Sequence, residues 1–149
     1  MADERPRIAH PWIDESRAPL YVWSFPATLD DDELARCCEA RERWAEVARF
    51  PVAWIVDLEN LGGATARQRK LFGDHLARFE PHDVAWNQGS AIVAKNQIVR
   101  GLVTAVFWLQ VPKFPHQVFA TRTEAAVWAK ARLAEAAARA KGGAPDILR

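Results

Sequence analysis

Residues 52–58, Val52-Ala53-Trp54-Ile55-Val56-Asp57-Leu58, make a continuous apolar run that closes on an acid. A run this short without polar alternation suits a strand buried on both faces. Before it, residues 30–48 carry a helical pattern. Asp30 is placed to cap, and Asp31, Asp32 and Glu33 put negative charge in the first turn, where the helix dipole favours it. Leu34, Cys37, Cys38, Ala45 and Ala48 recur at three- and four-residue spacing with Trp44 beside them, and Pro51 follows. Earlier still, residues 20–25 (LYVWSF) are rich in β-formers. Residues 12–14 can pair with them as a hairpin across a turn at residues 16–19.

After the central run, residues 59–64 read as a loop containing Gly62 and Gly63, and Thr65 caps a second helix with the stripe Leu71, Phe72, Leu76 and Phe79. Residues 80–89 read as a polar loop with Pro81, and residues 90–94 (SAIVA) as a short buried strand. Asn96 caps a third helix to about residue 109, ended by Pro112 and Pro115. Residues 116–120 (HQVFA) predict a further strand. Thr121 or Thr123 opens a last helix bearing Ala125, Trp128, Ala129, Leu133 and Ala136, broken by Gly142, Gly143 and Pro145. The expected fold is α/β, with a mixed, mostly parallel sheet of about four or five strands and four helices joined by right-handed crossovers. Residues 1–19 form an N-terminal segment or the first strand of a hairpin, 20–140 the domain, and 141–149 a flexible tail.

At 149 residues the chain has the length of one domain, and it needs no disulfide or metal staple. A net charge of +1 gives no global attraction to nucleic acid. Cys37 and Cys38, the only cysteines, have no C-x-x-C spacing and fit a reducing, cytoplasmic setting. No signal-like run opens the chain, and the apolar stretch 98–112 is too short to span a bilayer.

No motif specifies a reaction. Asp57 and Glu59 stand at a strand end, where open α/β sheets bind ligands, and could hold a divalent cation or act as acid and base, but the commoner role for Asp57 is to cap the loop. With His82 they constitute the one enzyme constellation to consider. Gly62-Gly63 precedes a helix N-terminus yet lacks the lysine of a phosphate loop and the spacing of a dinucleotide fingerprint. His10, His75, His82 and His116 include no i, i+4 pair, so neither a metal nor a cofactor is implied. The cysteines read as buried structural residues.

The order of elements resembles the STAS superfamily, and more narrowly its bacterial SpoIIAA-like (anti-sigma-factor antagonist-like) group. Four features carry the resemblance: the strand ending Asp57-Leu58 with its loop and the helix at Thr65, the short strand Ala91–Ala94, the third helix leading through Pro112 to a strand ending Val118-Phe119, and the segment Ala120 to Trp128, which looks like the family's "F-x-(S/T)-x-x-E-A-x-x-W" entry into the last helix. The resemblance spans roughly residues 20–138. It implies partner switching governed by a phosphorylated serine in a "D-S-S-G" turn. That serine falls at Ala66 and its preceding acid at Thr65, so the acceptor is missing, and Thr65 reads as a helix cap. Asp57, Glu59, Gly62, Gly63 and Thr65 remain as a possible switch loop.

The third helix then draws attention. Ile98, Val99, Leu102, Val103, Val106, Phe107, Trp108, Leu109 and Val111 leave only Arg100, Thr104 and Gln110 as polar interruptions. A helix apolar around most of its circumference is expected to be buried on more than one side. The sequence therefore predicts a non-catalytic regulatory or scaffolding module. It would bind a protein partner or a second copy of itself through Arg100, Val103, Thr104, Phe107, Trp108, Val111 and Phe114. The alternative is a carrier or sensor of a hydrophobic small molecule or lipid, held between helices and sheet among the tryptophans.

Overall fold

A computed structural model describes residues 4–142. Its elements run β1 (Ile13–Asp14), β2 (Leu20–Ser24), α1 (Asp31–Val47), β3 (Val52–Asp57), α2 (Ala66–Trp86), β4 (Asn87–Val93), α3 (Gln97–Leu109), β5 (His116–Phe119) and α4 (Arg122–Gly142). The five strands form one sheet in the order β1-β2-β3-β4-β5. β1 is antiparallel to β2, and all other neighbours are parallel. The α/β class with a mostly parallel sheet and four helices is as the sequence predicts.

Monotonic strand order fixes where the helices go. Three successive right-handed crossovers between adjacent parallel strands place α1, α2 and α3 on one face. Among the described residues α4 alone closes the other face. The strands alternate accordingly. Tyr21, Trp23, Val52, Trp54 and Ile92 point to the three-helix side, where they meet Leu34, Cys37, Trp44 and Phe79. Leu20, Val22, Ala53, Ile55, Ala91 and Val93 point to α4, where they meet Ala125 and Ala129. Small residues on both partners let α4 lie close. At Gly89 the approach is closest, since a Cβ there would sit 2.8 Å from the Trp128 ring.

The caps follow the sequence. Asp30 accepts from the Glu33 N–H, Asn96 from the Val99 N–H and Thr121 from the Glu124 N–H. Thr65 and Gln68 form a reciprocal capping box on α2. The tail expected over residues 141–149 is helical at 141–142, and 143–149 lie outside the described residues.

Two expectations are corrected. The polar stretch 80–89 is not a loop: α2 continues through Pro81 to Trp86, and β4 begins at Asn87. Pro81 forfeits one helical hydrogen bond. The turn after it is held from outside, by His82 Nε2–H donating to the Ala48 carbonyl at 2.8 Å and by Asn87 Nδ2–H donating to Asp83 at 3.0 Å. His82 and Asp83 are therefore buried members of the helix. The second correction concerns α3. It is not buried on more than one side: only Val99 and Val106 are fully buried, and Ile98, Trp108 and Leu109 face outward.

Candidate functional site

α3 packs against α2. The space beneath it is a cavity of about 100 Å³. Trp23, Val56 and Ile92 form its sheet wall, Phe72 and Leu76 its α2 wall, and Leu102, Val103, Val106 and Phe107 its roof. Phe114, from the segment after α3, completes it. The cavity is partly open to solvent, and Arg41, Gln68, Arg69, Asp83 and Ser90 are among its lining residues.

The roof is tethered at its ends and along one flank. Arg100 Nε–H donates to the Ala94 carbonyl at 3.0 Å, near the N-terminus. Beyond the C-terminus, Gln110 Nε2–H donates to Glu80 at 2.6 Å. Between them Leu109 rests over Gly73 of α2, where a Cβ would come within 3.3 Å of Leu109 Cβ. On the inner edge of α3, Val99 is buried in the core, and Leu102, Val103 and Phe107 pack against the same cluster while lining the cavity.

The residues predicted as one surface divide between two. Val103, Phe107 and Phe114 are half-buried and turn toward the cavity. Arg100, Thr104, Trp108 and Val111 are exposed; Trp108 reaches 82%. The Thr104 hydroxyl donates back to the Arg100 carbonyl. Ile98 and Leu109 extend the outer apolar face.

The proposed switch loop is organised as structure. Asp57 is buried and accepts from the Glu59 N–H at 2.9 Å and from Arg122 Nε–H at 2.8 Å. Glu59 is exposed. Gly62 N–H donates to the Ala27 carbonyl at 2.8 Å, and a Cβ on Gly62 would press within 3.0 Å of that oxygen. Gly63 has open space around it, and the Thr65 hydroxyl is engaged by the Gln68 N–H. His82 lies elsewhere, at the far end of α2 against Trp44, Phe79 and Ala48. Asp57, Glu59 and His82 are thus not brought together, and the enzyme constellation they would make has no geometry. Among the described residues no group of three metal-ligating side chains gathers either.

The feature not anticipated from sequence is a polar cluster in the core, beside the cavity. Arg41 of α1 is only 4% exposed and lines the cavity with Asp83. Its guanidinium lies 4.3 Å from the Trp23 ring centre, 4.2 Å from Trp54 and 4.0 Å from Phe79. Arg41 Nη1–H donates to His75 Nε2 at 2.6 Å. A guanidinium can only donate, so Nε2 carries the lone pair and Nδ1 the proton. Nδ1–H then donates to Glu42 at 2.6 Å, and Glu42 also accepts from Arg78 at 2.8 Å. Burial holds His75 down to about 4, in keeping with this neutral tautomer. The His75 hydrogen bond holds Glu42 down to about 2. Burial pushes Asp83 up to about 6 and both thiols, Cys37 and Cys38, up to about 12, so the thiols are unreactive packing groups. The sequence does contain a signal for this cluster. Cys37, Arg41 and Trp44 share the i, i+4, i+7 stripe of α1, so an arginine stands in a row of apolar positions.

Comparison of the chain with family models, curated proteins and solved structures gives no match to any of them. No helix among the described residues is long and apolar enough to cross a membrane.

Proposed function

We propose that this protein is a non-catalytic binding module that takes an apolar small molecule into the cavity between α2, α3 and the sheet, with α3 as its roof. One observation carries this reading: Leu102, Val103, Val106 and Phe107 of α3 line a mostly apolar cavity between α3, α2 and the sheet. A helix roofing a void forgoes dispersion contacts that a close-packed core would make. A guest restores them, and the hydrophobic effect supplies the driving force. Because the cavity is small as it stands, a chain-like guest requires α3 to swing outward on its contact with α2. The test is native mass spectrometry of the purified protein, followed by calorimetric titration with hexanol and octanol after removal of any bound molecule. Saturable binding of one equivalent is expected. Absence of both a co-purifying molecule and any titratable binding overturns the reading.

In this reading the resemblance to SpoIIAA-like STAS domains concerns architecture, and the missing serine argues for a sensor or carrier in place of a phosphorylation switch. The buried, unbridged cysteines favour a cytoplasmic setting.

A second reading keeps the outer face of α3 as a docking surface for a second copy or another protein. The exposure of Trp108, with Ile98, Leu109 and Val111 beside it, favours this. Light scattering over a concentration series tests self-association, and a monomer throughout excludes it.

A further inference from the structure

Arg41 is hard to explain as packing alone. Burying a guanidinium costs several kcal/mol unless a counter-charge meets it. Among the described residues no carboxylate reaches ion-pair distance of Arg41, and His75 is its one hydrogen-bond partner. A guanidinium carries five N–H donors. Here Nε is buried with no acceptor. The negative charge of Glu42 reaches Arg41 only through the neutral His75 ring, and Glu42 is shared with Arg78. Asp83, also in the cavity wall, is tied to Asn87. The ring faces of Trp23, Trp54 and Phe79 hold the cation in place without neutralising it. The wall of a mostly apolar cavity, which also carries Gln68, Arg69, Asp83 and Ser90, therefore contains a fixed cation with an unmet Nε–H donor.

We infer that Arg41 receives the head group of the guest, which is a carboxylate, so that the ligand class is a monocarboxylic acid with an apolar tail. This rests on the cavity reading above and narrows it. The planar guanidinium matches a carboxylate in shape, and its position is set before binding by three rings and His75. The tail then lies under Leu102, Val103 and Phe107.

The test compares matched probes on the full chain: hexanoate and octanoate against hexanol and octanol, by calorimetric titration. A charge-assisted hydrogen bond predicts that each acid binds roughly tenfold or more tightly than its alcohol. Arg41→Gln, checked for folding by circular dichroism, is expected to bring acid and alcohol to nearly equal affinity. Should Arg41→Gln not fold, the wild-type ratio decides by itself. Equal binding of acid and alcohol to the wild type overturns the inference while the cavity reading stands. Binding of neither overturns both.

Discussion

Arg122, the first residue of α4, holds Asp57, the last residue of β3, across 65 positions of chain: its Nε–H and Nη2 both reach Asp57 Oδ2, at 2.8 and 2.7 Å. Nη2–H also donates to Ser24 at the end of β2. One guanidinium thus ties the start of the one described helix on its face to the ends of two neighbouring strands. The partners differ in exposure, with the carboxylate buried and the guanidinium half in solvent. Their removal should therefore be unequal. Arg122→Met strands a buried carboxylate and is expected to cost about 2–3 kcal/mol, whereas Asp57→Asn frees an arginine that water can solvate and costs about 1 kcal/mol. Urea midpoints of the two variants measure the difference. Equal losses would show that the pair does not act through burial of Asp57.

The core cluster makes stability depend on pH. His75 and His82 lie at about 4, against an ordinary 6.5, because burial disfavours their charged forms. Their folded values are lower than their unfolded ones, so their contribution is complete above about 6.5 and is lost as the pH falls toward 4. Asp83 works the other way. Burial raises it from 3.8 to about 6, so its ionisation costs stability above 6 and that loss is recovered on acidification. Two protons taken up on unfolding against one released leave a net of one, or roughly 1.4 kcal/mol per pH unit between about 6 and 4.5; below 4.5 Glu42, held down to about 2, adds a further proton. Asp83→Asn removes the recovery and should steepen the acid limb toward two protons. Urea denaturation at half-unit pH steps measures both slopes, and a flat profile from pH 7 to 4.5 contradicts neutral histidines.

How far the sequence discloses this molecule follows from what each signal depends on. Strands and helices are legible where the signal is local, as in the run 52–58 or the capping residues Asp30, Asn96 and Thr65. The continuation of α2 past Pro81 is not local. It depends on Ala48 and Asn87 supplying partners for His82 and Asp83, contacts that no periodicity reports. The cavity is less legible again, because the apolar residues of α3 look alike whether they meet a packed sheet or a void. Arg41 is visible as an anomaly in the α1 stripe, but its aromatic cage is drawn from β2, β3 and α2. The Asp57 loop was legible as a strand-end site; its engagement by Arg122, from the far side of the sequence, was not.

Filling the cavity separates ligand binding from stability. Val103 is half-buried in the roof, so a larger side chain there can enter the void. Val103→Phe is expected to abolish or weaken guest binding by at least about tenfold and to leave stability unchanged or raised by up to about 1 kcal/mol, given the cost of empty volume. Thermal melts and calorimetric titration on the same sample check it. Lost binding together with a lower melting temperature would mean overpacking rather than occupation of a binding cavity.

Trp108 tests the outer face of the same helix independently. At 82% exposure it contributes little to the fold, so Trp108→Ser should shift stability by less than about 0.5 kcal/mol. Removal of a tryptophan from an interface commonly costs 2 kcal/mol or more, about thirtyfold in affinity. If two copies meet through α3, sedimentation velocity should show the wild type sedimenting faster with concentration and the variant remaining a 16.8 kDa monomer. Guest binding in the variant should be intact, because Trp108 does not line the cavity. A variant that stays monomeric and also loses the guest would instead join the two faces, with contact at Trp108 setting the position of the roof over Arg41.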